Sequence, residues 1–370
     1  MGERLNLDRP LKVLVVAPSM DTIGGQSIQA NLIVSQFRDD PFLEMTFQAI
    51  NPRLPFPFRP IQRIKYLRTL PTFILYCFQL FGSLRRCDVV HVFSASYTSF
   101  MLTPTPAIFF SRCMQKPLIL NYHSGEAEDH LTKWPSAIRA LRHATRIVVP
   151  SSYLVGVFSK FGLTTRAVFN AVDLSAFKYR LRSNAKPAFL VNRNFEAHYN
   201  VALVLRAFQH IQYTLPDASL TVAGEGPERE PLKRLAGELS LRHVRFIGRV
   251  LPVNMPALYD EHDIWLNGSD VDNMPLSILE AFACGLSVIT TNAGGIPTLV
   301  EDGITGLIVN CGDHEALAGK ALEVLRNPQL FAKLTGNARS ECEKYTWQRI
   351  KKNWLEEYAA IAPSGTALSR

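Results

Sequence analysis

Acidic residues are missing from one long stretch of this 370-residue chain, where none occurs between Glu44 and Asp88. Basic residues are plentiful there: Arg53, Arg59, Arg63, Lys65, Arg68, Arg85 and Arg86. Residues 1–180 hold 21 Lys and Arg against 11 Asp and Glu, whereas 181–370 hold 19 against 21. The net charge of +8 therefore comes entirely from the first half. Paired cysteines are also lacking. Cys77, Cys87, Cys113, Cys284, Cys311 and Cys342 are scattered without a CxxC, which argues against a zinc site or disulfide scaffold and for reduced thiols in a cytosolic protein. Long apolar runs are lacking too. The stretch Leu70 to Gly82 is about half of what spans a bilayer, and Pro71 interrupts it. The opening MGERLNLDRPLKVLVVAP has charges where a signal peptide needs an apolar core, so export is not expected.

What remains is a globular chain, 47% hydrophobic and 19% charged, long enough for two domains of about 150 to 190 residues. The basic, aromatic segment from Arg53 to Arg86 has two readings. One is a helix lying in the plane of an anionic membrane surface. The other is a buried helix pair with a solvated basic edge. Nucleic acid is disfavoured, because the aromatics lie in apolar blocks and form no stacking platform between the basic residues.

Short β-branched runs alternate with helical patterns along the whole chain. LKVLVVAP (11–18), DVVHVFSA (88–95), PLILNYHS (117–124) and TRIVVPS (145–151) read as buried parallel strands, with a glycine turn at Gly24-Gly25 and a helix from about Gln26 to Phe37. A polar stretch, RLRSNAKP (180–187), suits a linker. A second series follows in AFLVNR, ASLTVAGEG, VRFIGRV, DIWLNGS and LSVITTNAGG. The fold class is α/β, two doubly wound Rossmann-like domains facing a central cleft where ligands bind. The expected division is 1–182, 183–345 and a C-terminal helix within 346–370. That helix places Trp347, Ile350, Trp354 and Tyr358 near one face and packs back across the pair.

The stretch richest in chemistry is SDVDNMPLSILEAFACGLSVITTNAGGIP (269–297). Pro275 and Leu276 open a helix that carries Glu280 one turn in. The free amides of the stretch Asn273 to Leu276, with Met274 and Pro275 within it, would then face an anion such as a diphosphate. Asp272 sits just outside the helix, and Glu280 is placed to accept hydroxyl hydrogen bonds. Taken alone, the pattern also fits a capped helix with a solvated loop charge.

In context, the chain resembles the family 4 retaining glycosyltransferases of GT-B fold. DNMPLSILEAFACGLSVITTNAGGIPTLVEDGITGLIV (272–309) is similar to the family's Glu-x7-Glu block. VVPSSYL, FNAVDLSAF, VNRNFEAHYNVALVLRAF, VAGEGPER and RFIGRV follow other family segments in order. The resemblance implies that Glu280 holds the ribose of a nucleotide-diphosphate-sugar donor and that Asp272 contacts the transferred sugar. It implies that Arg193 neutralises the leaving diphosphate and that His123 lies beside the donor sugar. Gly24 and Gly25 would approach phosphate or acceptor, Gly248 to Val250 would hold the base, and the donor would be a co-substrate with no cofactor and no metal.

Two departures stand out. Asp272 is one methylene shorter than the family's Glu. His198, followed by Tyr199, stands about where the family has a lysine, which supplies less positive charge when neutral. The DVD at 270–272 resembles a metal motif of the other glycosyltransferase fold and is set aside here. GEGPER lacks the third glycine of a dinucleotide site. His91 reads as a core histidine, and His143, His210 and His243 as surface or edge residues. The expected function is a hexosyltransferase acting on a lipid-linked or membrane-proximal glycan in surface polysaccharide or glycolipid assembly. It would be cytoplasmic and peripheral on the inner face of the membrane. A catalytically weak, glycosyltransferase-like binding subunit is the alternative.

Overall fold

The structure is a computed structural model that describes residues 9–22, 24–60, 64 and 67–363. Arg63 and Lys65 of the basic segment, and the last residues of the tail, lie outside the described residues. The chain divides into two compact units, one of residues 1–168 with 351–370 and one of 169–350.

The first unit is built on six parallel strands: β1 (Leu11–Ala17), β2 (Leu43–Ala49), β3 (Val89–Ser94), β4 (Leu118–Tyr122), β5 (Arg146–Val149) and β6 (Arg166–Ala167). Their spatial order is β2-β1-β3-β4-β5-β6. Strands β3 and β4 are buried along their whole length, as expected where helices cover both faces of a parallel sheet. Strand β2 was not foreseen. It is an edge strand with Glu44, Thr46 and Gln48 interleaved, so it lacks the continuous apolar run that marks its neighbours. The helix at Gly25–Gln36 lies one residue before its expected bounds.

The basic segment holds a helix, Thr69–Leu84, which Pro71 does not interrupt. Proline in the first turn is tolerated because its missing N–H has no intrahelical acceptor there. One face of this helix, Tyr76, Leu80 and Leu84, joins the core. The other presents Leu70, Ile74 and Phe78 to solvent, Phe78 at 75% exposure. Phe109 of the helix Pro104–Cys113 is also exposed; it touches Phe110, which in turn meets Phe81. The segment is therefore one surface helix with an apolar outer face, not a buried pair. Tyr76 and Leu80 belong to the core side. No helix among the described residues is long and apolar enough to cross a membrane.

The second unit is built on β7 (Ala188–Asn192), β8 (Ser219–Ala223), β9 (Val244–Gly248), β10 (Ile264–Asn267), β11 (Ser287–Thr291) and β12 (Leu307–Val309), ordered β12-β11-β10-β7-β8-β9. All pairings in both sheets are parallel. The strands after β7 run outward on one side and then, from β10, on the other. The reversal point lies between β7 and β10, whose carboxyl ends form the crevice that binds ligands in open α/β sheets.

The border between units falls at 168/169, ahead of the 182/183 expected from the linker composition. The reason is visible in residues 169–182. Asn170 donates to the Met274 carbonyl at 2.9 Å. Arg182 is buried and pairs with Asp263 at 2.7 Å, while donating to the carbonyls of Cys284 and His262. What reads as a linker is riveted to the second unit. From Lys351 the chain belongs to the first unit again. There Lys351 pairs with Asp40, Glu357 with Arg166, and Tyr358 with His91 Nδ1 at 2.8 Å. His91 is thus a core residue, as expected, and Trp347, Ile350, Trp354 and Tyr358 are all buried.

Candidate functional site

The reversal point of the second sheet gathers part of the predicted set, Arg193 and Asp272 with the helix that carries Glu280. Arg193 follows β7 directly, and Ser269 to Asp272 follow β10. The Arg193 guanidinium donates to Asp272 at 2.5 Å and to Ser277 Oγ at 3.1 Å, and it lies 4.0 Å over the Tyr199 ring. Its Nε is buried and has no protein acceptor. A buried N–H without a partner costs about 1–3 kcal/mol, so this donor marks a place for a ligand oxygen. The backbone at Arg193 is fixed by contact. A Cβ on Gly224 (φ +154°) would sit 2.0 Å from the Arg193 carbonyl oxygen, so only glycine lets the loop after β8 press against it.

The opening helix of the motif is Leu276–Cys284, with Pro275 before it. Its anion-facing donors are fewer than expected. Pro275 has no N–H, and the Asn273 amide donates at 2.9 Å to the Asp272 side chain. The amides that begin the helix, at Leu276 and Ser277, have no intrahelical acceptor. Met274 acts through its carbonyl and sulfur, both of which Asn170 bonds. Gly295 answers the close approach of this loop, since a Cβ there would lie 2.3 Å from the Asn273 carbonyl oxygen. Of the two carboxylates in DVD, Asp270 accepts from Asn200 and Asp272 from Arg193.

Glu280, one turn into the helix, accepts a hydrogen bond from Tyr259 at 2.8 Å. Burial pushes its carboxyl up to about 7, against the Tyr259 hydrogen bond and the Arg193 charge, which lower it. His198 is half-buried on a short 3-10 turn, tilted against Tyr199 at 4.2 Å. Its carbonyl oxygen accepts the amide of Asp270 at 2.9 Å. Gly248 adopts φ +73° at the end of β9, with its carbonyl oxygen accepting from Gly224 at 2.8 Å, and Val250 packs partly buried beyond it.

Gly24, Gly25 and His123 belong to the first unit. Gly24 is extended and opens the helix Gly25–Gln36; a Cβ there would meet nothing within 4 Å. The protein itself therefore does not require glycine at this position. His123 follows β4, stacks on Phe93 at 5.0 Å and leaves Nε2 buried without a protein partner. Burial lowers it to about 3, so the imidazole is neutral.

Sequence reasoning missed Ser277, Asn170, Asn192 and Tyr259 as members of this site. Only Asn192, a polar residue closing an apolar strand just before Arg193, carried a signal that could have found it.

Residues 175–341 match the family described as glycosyl transferases group 1. Among similar sequences is the sulfoquinovosyl transferase SQD2 of Arabidopsis thaliana, 26% identical over 298 residues, which are 74% of this chain and 57% of that protein. Another is an α-1,4-N-acetyl-D-galactosaminyltransferase of Campylobacter jejuni, named for a GalNAc-GalNAc-diNAcBac-PP-undecaprenol. It is 26% identical over 277 residues, 72% of this chain and 74% of that one. The chain thus spans little more than half the length of the plant relative. Among solved structures, the sucrose-phosphate synthase of Thermosynechococcus elongatus superposes with a TM-score of 0.77 at 18% identity, covering 95% of this chain and 99% of that one. Anabaena HepE in complex with UDP-glucose gives 0.76 at 17%, covering 95% and 100%. At these identities the likeness establishes the fold.

Proposed function

The chain belongs to the glycosyl transferases group 1 family, and from that premise we propose that it moves a sugar from a nucleotide-diphosphate donor to a hydroxyl, with retention at the anomeric carbon. The observation that carries the reading is the buried, unpartnered Nε–H of Arg193, beside a helix start and a carboxylate that can accept ribose hydroxyls. In the proposed reaction the bond from the anomeric carbon to the diphosphate oxygen breaks, and the acceptor oxygen bonds to that carbon on the same face. The acceptor proton passes to the leaving phosphate, so no separate base is needed and no metal is invoked. Charge gathers on the diphosphate as the bond breaks, and Arg193 with the Leu276 and Ser277 amides is placed to meet it. Asp272 holds Arg193 in place and is near enough to that charge to contact the transferred sugar. Neutral His123, in the first unit, can accept or donate a single hydrogen bond to substrate.

The acceptor in this proposal is a lipid-linked or membrane-proximal glycan, reached from the inner face of a membrane. Two things support it. The Campylobacter relative is named for an undecaprenol-linked glycan, and the first unit carries an apolar outer face, Leu70, Ile74, Phe78 and Phe109, on a basic half of the chain. A second reading, a binding subunit without turnover, is favoured by His198 at the family's lysine position. Purified protein incubated with UDP- and GDP-sugars and an undecaprenyl-diphosphate glycan separates the two. Nucleotide release with an α-linked product supports transfer, whereas tight nucleotide binding without release supports the second reading.

A further inference from the structure

Behind Glu280 lies a chain of hydrogen bonds in which every direction is fixed by chemistry. It begins at Trp265, fully buried on β10, whose indole N–H donates to Asn192 Oδ1. Indole nitrogen can only donate, so it sets which end of the Asn192 amide faces it. The other end, Nδ2, must then face Tyr259 Oη, at 2.7 Å. An amide nitrogen also only donates, so the Tyr259 oxygen accepts and its own proton turns elsewhere. Two acceptors are in reach: Glu280 Oε2 at 2.8 Å and the Ser277 carbonyl oxygen at 3.2 Å. The shorter bond to the charged oxygen wins.

We infer that Trp265, Asn192 and Tyr259 form a one-way relay that positions Glu280 and holds it as a hydrogen-bond acceptor for the two ribose hydroxyls of the donor. The inference rests on the reading of Glu280 as the ribose carboxylate. All three act through Glu280. They are positioning residues, drawn from β10, the end of β7 and the helix Met255–Asp260.

The relay answers a difficulty in the site. A ribose diol offers two O–H donors and needs an ionised carboxylate, but burial alone drives Glu280 toward its neutral form, which presents a proton of its own. The groups facing it are few. Tyr259 lies on the helix before, the Arg193 guanidinium on the loop after β7, and the Cys284 thiol, itself pushed up by burial, on its own helix. Arg193 is shared with Asp272 and Ser277. The hydroxyl of Tyr259 is a neutral donor committed to Glu280, and it stays committed because Asn192 blocks its oxygen from the reverse arrangement.

The test is the pH dependence of nucleotide affinity, measured by calorimetry with UDP, and with GDP if the wild type prefers it, from pH 5.5 to 9. The nucleotide's own ionisation is common to all variants. Glu280→Gln reports that background, and its profile should be flat beside the wild type's. Tyr259→Phe keeps the ring and removes the donor, so its affinity should fall about fivefold near pH 7 and recover toward wild type by pH 9. Its midpoint should move up by about one pH unit. Asn192→Ala should give a smaller shift in the same direction, by freeing the hydroxyl to reorient. A Tyr259→Phe profile that overlays the wild type, while Glu280→Gln weakens binding, overturns the relay. A Glu280→Gln protein with wild-type affinity and profile overturns the ribose reading instead. A loss in Tyr259→Phe that is equal at every pH counts against the relay, because simple loss of packing has no reason to follow a titration.

Discussion

Replacing Arg193 by alanine should have two separable consequences, one for stability and one for chemistry. In the folded protein the guanidinium is the partner of Asp272, and both side chains are only 9% exposed. Removing one member of a buried pair typically costs about 3–5 kcal/mol, because the other charge is left without compensation. Asp272 keeps the Asn273 amide at 2.9 Å and Ser269 Oγ at 3.3 Å. Those bonds bring the expected loss down to about 2–3 kcal/mol. In the proposed reaction the chemical consequence would come from the leaving diphosphate, where loss of one preorganised donor typically slows the reaction about 10²–10³-fold. The pair Arg193→Ala and Arg193→Ala/Asp272→Asn distinguishes the two. In urea unfolding followed by tryptophan fluorescence, the double variant should regain about half of the lost stability, since the orphaned charge is gone. In a nucleotide-release assay it should stay as slow as the single variant. A single variant as stable as wild type would refute the buried pair. A double variant that regains turnover would show that Arg193 serves Asp272 and not the diphosphate.

Other consequences are as definite. Glu280 is raised from 4.5 to about 7 by folding, so the folded state holds its proton more tightly than the unfolded chain. The resulting penalty is absent below pH 4.5, grows through the window to pH 7 and is complete above it. Glu280→Gln should therefore gain about 1–3 kcal/mol over wild type between pH 5 and pH 8, and a thermal-melt difference that ignores pH would count against it. Arg182→Ala should cost about 3–5 kcal/mol, lowering the urea midpoint, and lysine should not rescue it because one ammonium cannot serve Asp263 and the carbonyls of Cys284 and His262 together. A loss under 1 kcal/mol would mean that the rivet at residues 169–182 is not what fixes that segment. The protein should sediment with anionic vesicles, salt weakening but not abolishing the binding. Serine at Ile74, Phe78 and Phe109 should remove the salt-resistant part, roughly 1–2 kcal/mol per inserted side chain. Arg53→Gln should matter less than Arg59→Gln or Arg68→Gln, since Arg53 is already paired with Asp21 at 2.5 Å. Indifference to anionic lipid at low salt would contradict the membrane-facing reading of this helix.

The architecture was legible because parallel sheets covered on both faces write themselves as apolar runs. Strands β1, β3, β4, β10 and β11 could be read almost to the residue. Strand β2 could not, because an edge strand mixes polar and apolar side chains and looks like a loop. The 180–187 stretch misled for the opposite reason. Its composition suits a linker, but Arg182 just inside it is buried by partners more than 75 residues away. The site divides in the same way. Arg193, Asp272 and Glu280 stand in a recognisable motif, and the reversal of strand order brings them together. The Arg193–Asp272 pair was not foreseen, nor was the use of the Asn273 amide by Asp272. Both depend on how loops after β7 and β10 meet, which no local pattern encodes. Tyr259 was out of reach altogether, since a tyrosine in a short helix gives no sign of pointing at a carboxylate on another.

The proposed function makes the start of the helix Leu276–Cys284, together with Arg193, a diphosphate site. Calorimetric titration of the purified protein with a nucleoside, its monophosphate and its diphosphate tests it most directly, in the uridine and guanosine series. The diphosphate of one series should bind at least about tenfold more tightly than its monophosphate, a difference of about 1.4 kcal/mol, and Arg193→Ala should remove most of that advantage while leaving affinity for the nucleoside unchanged. Equal affinity for mono- and diphosphate in the wild type, or an advantage that survives the loss of Arg193, would contradict it.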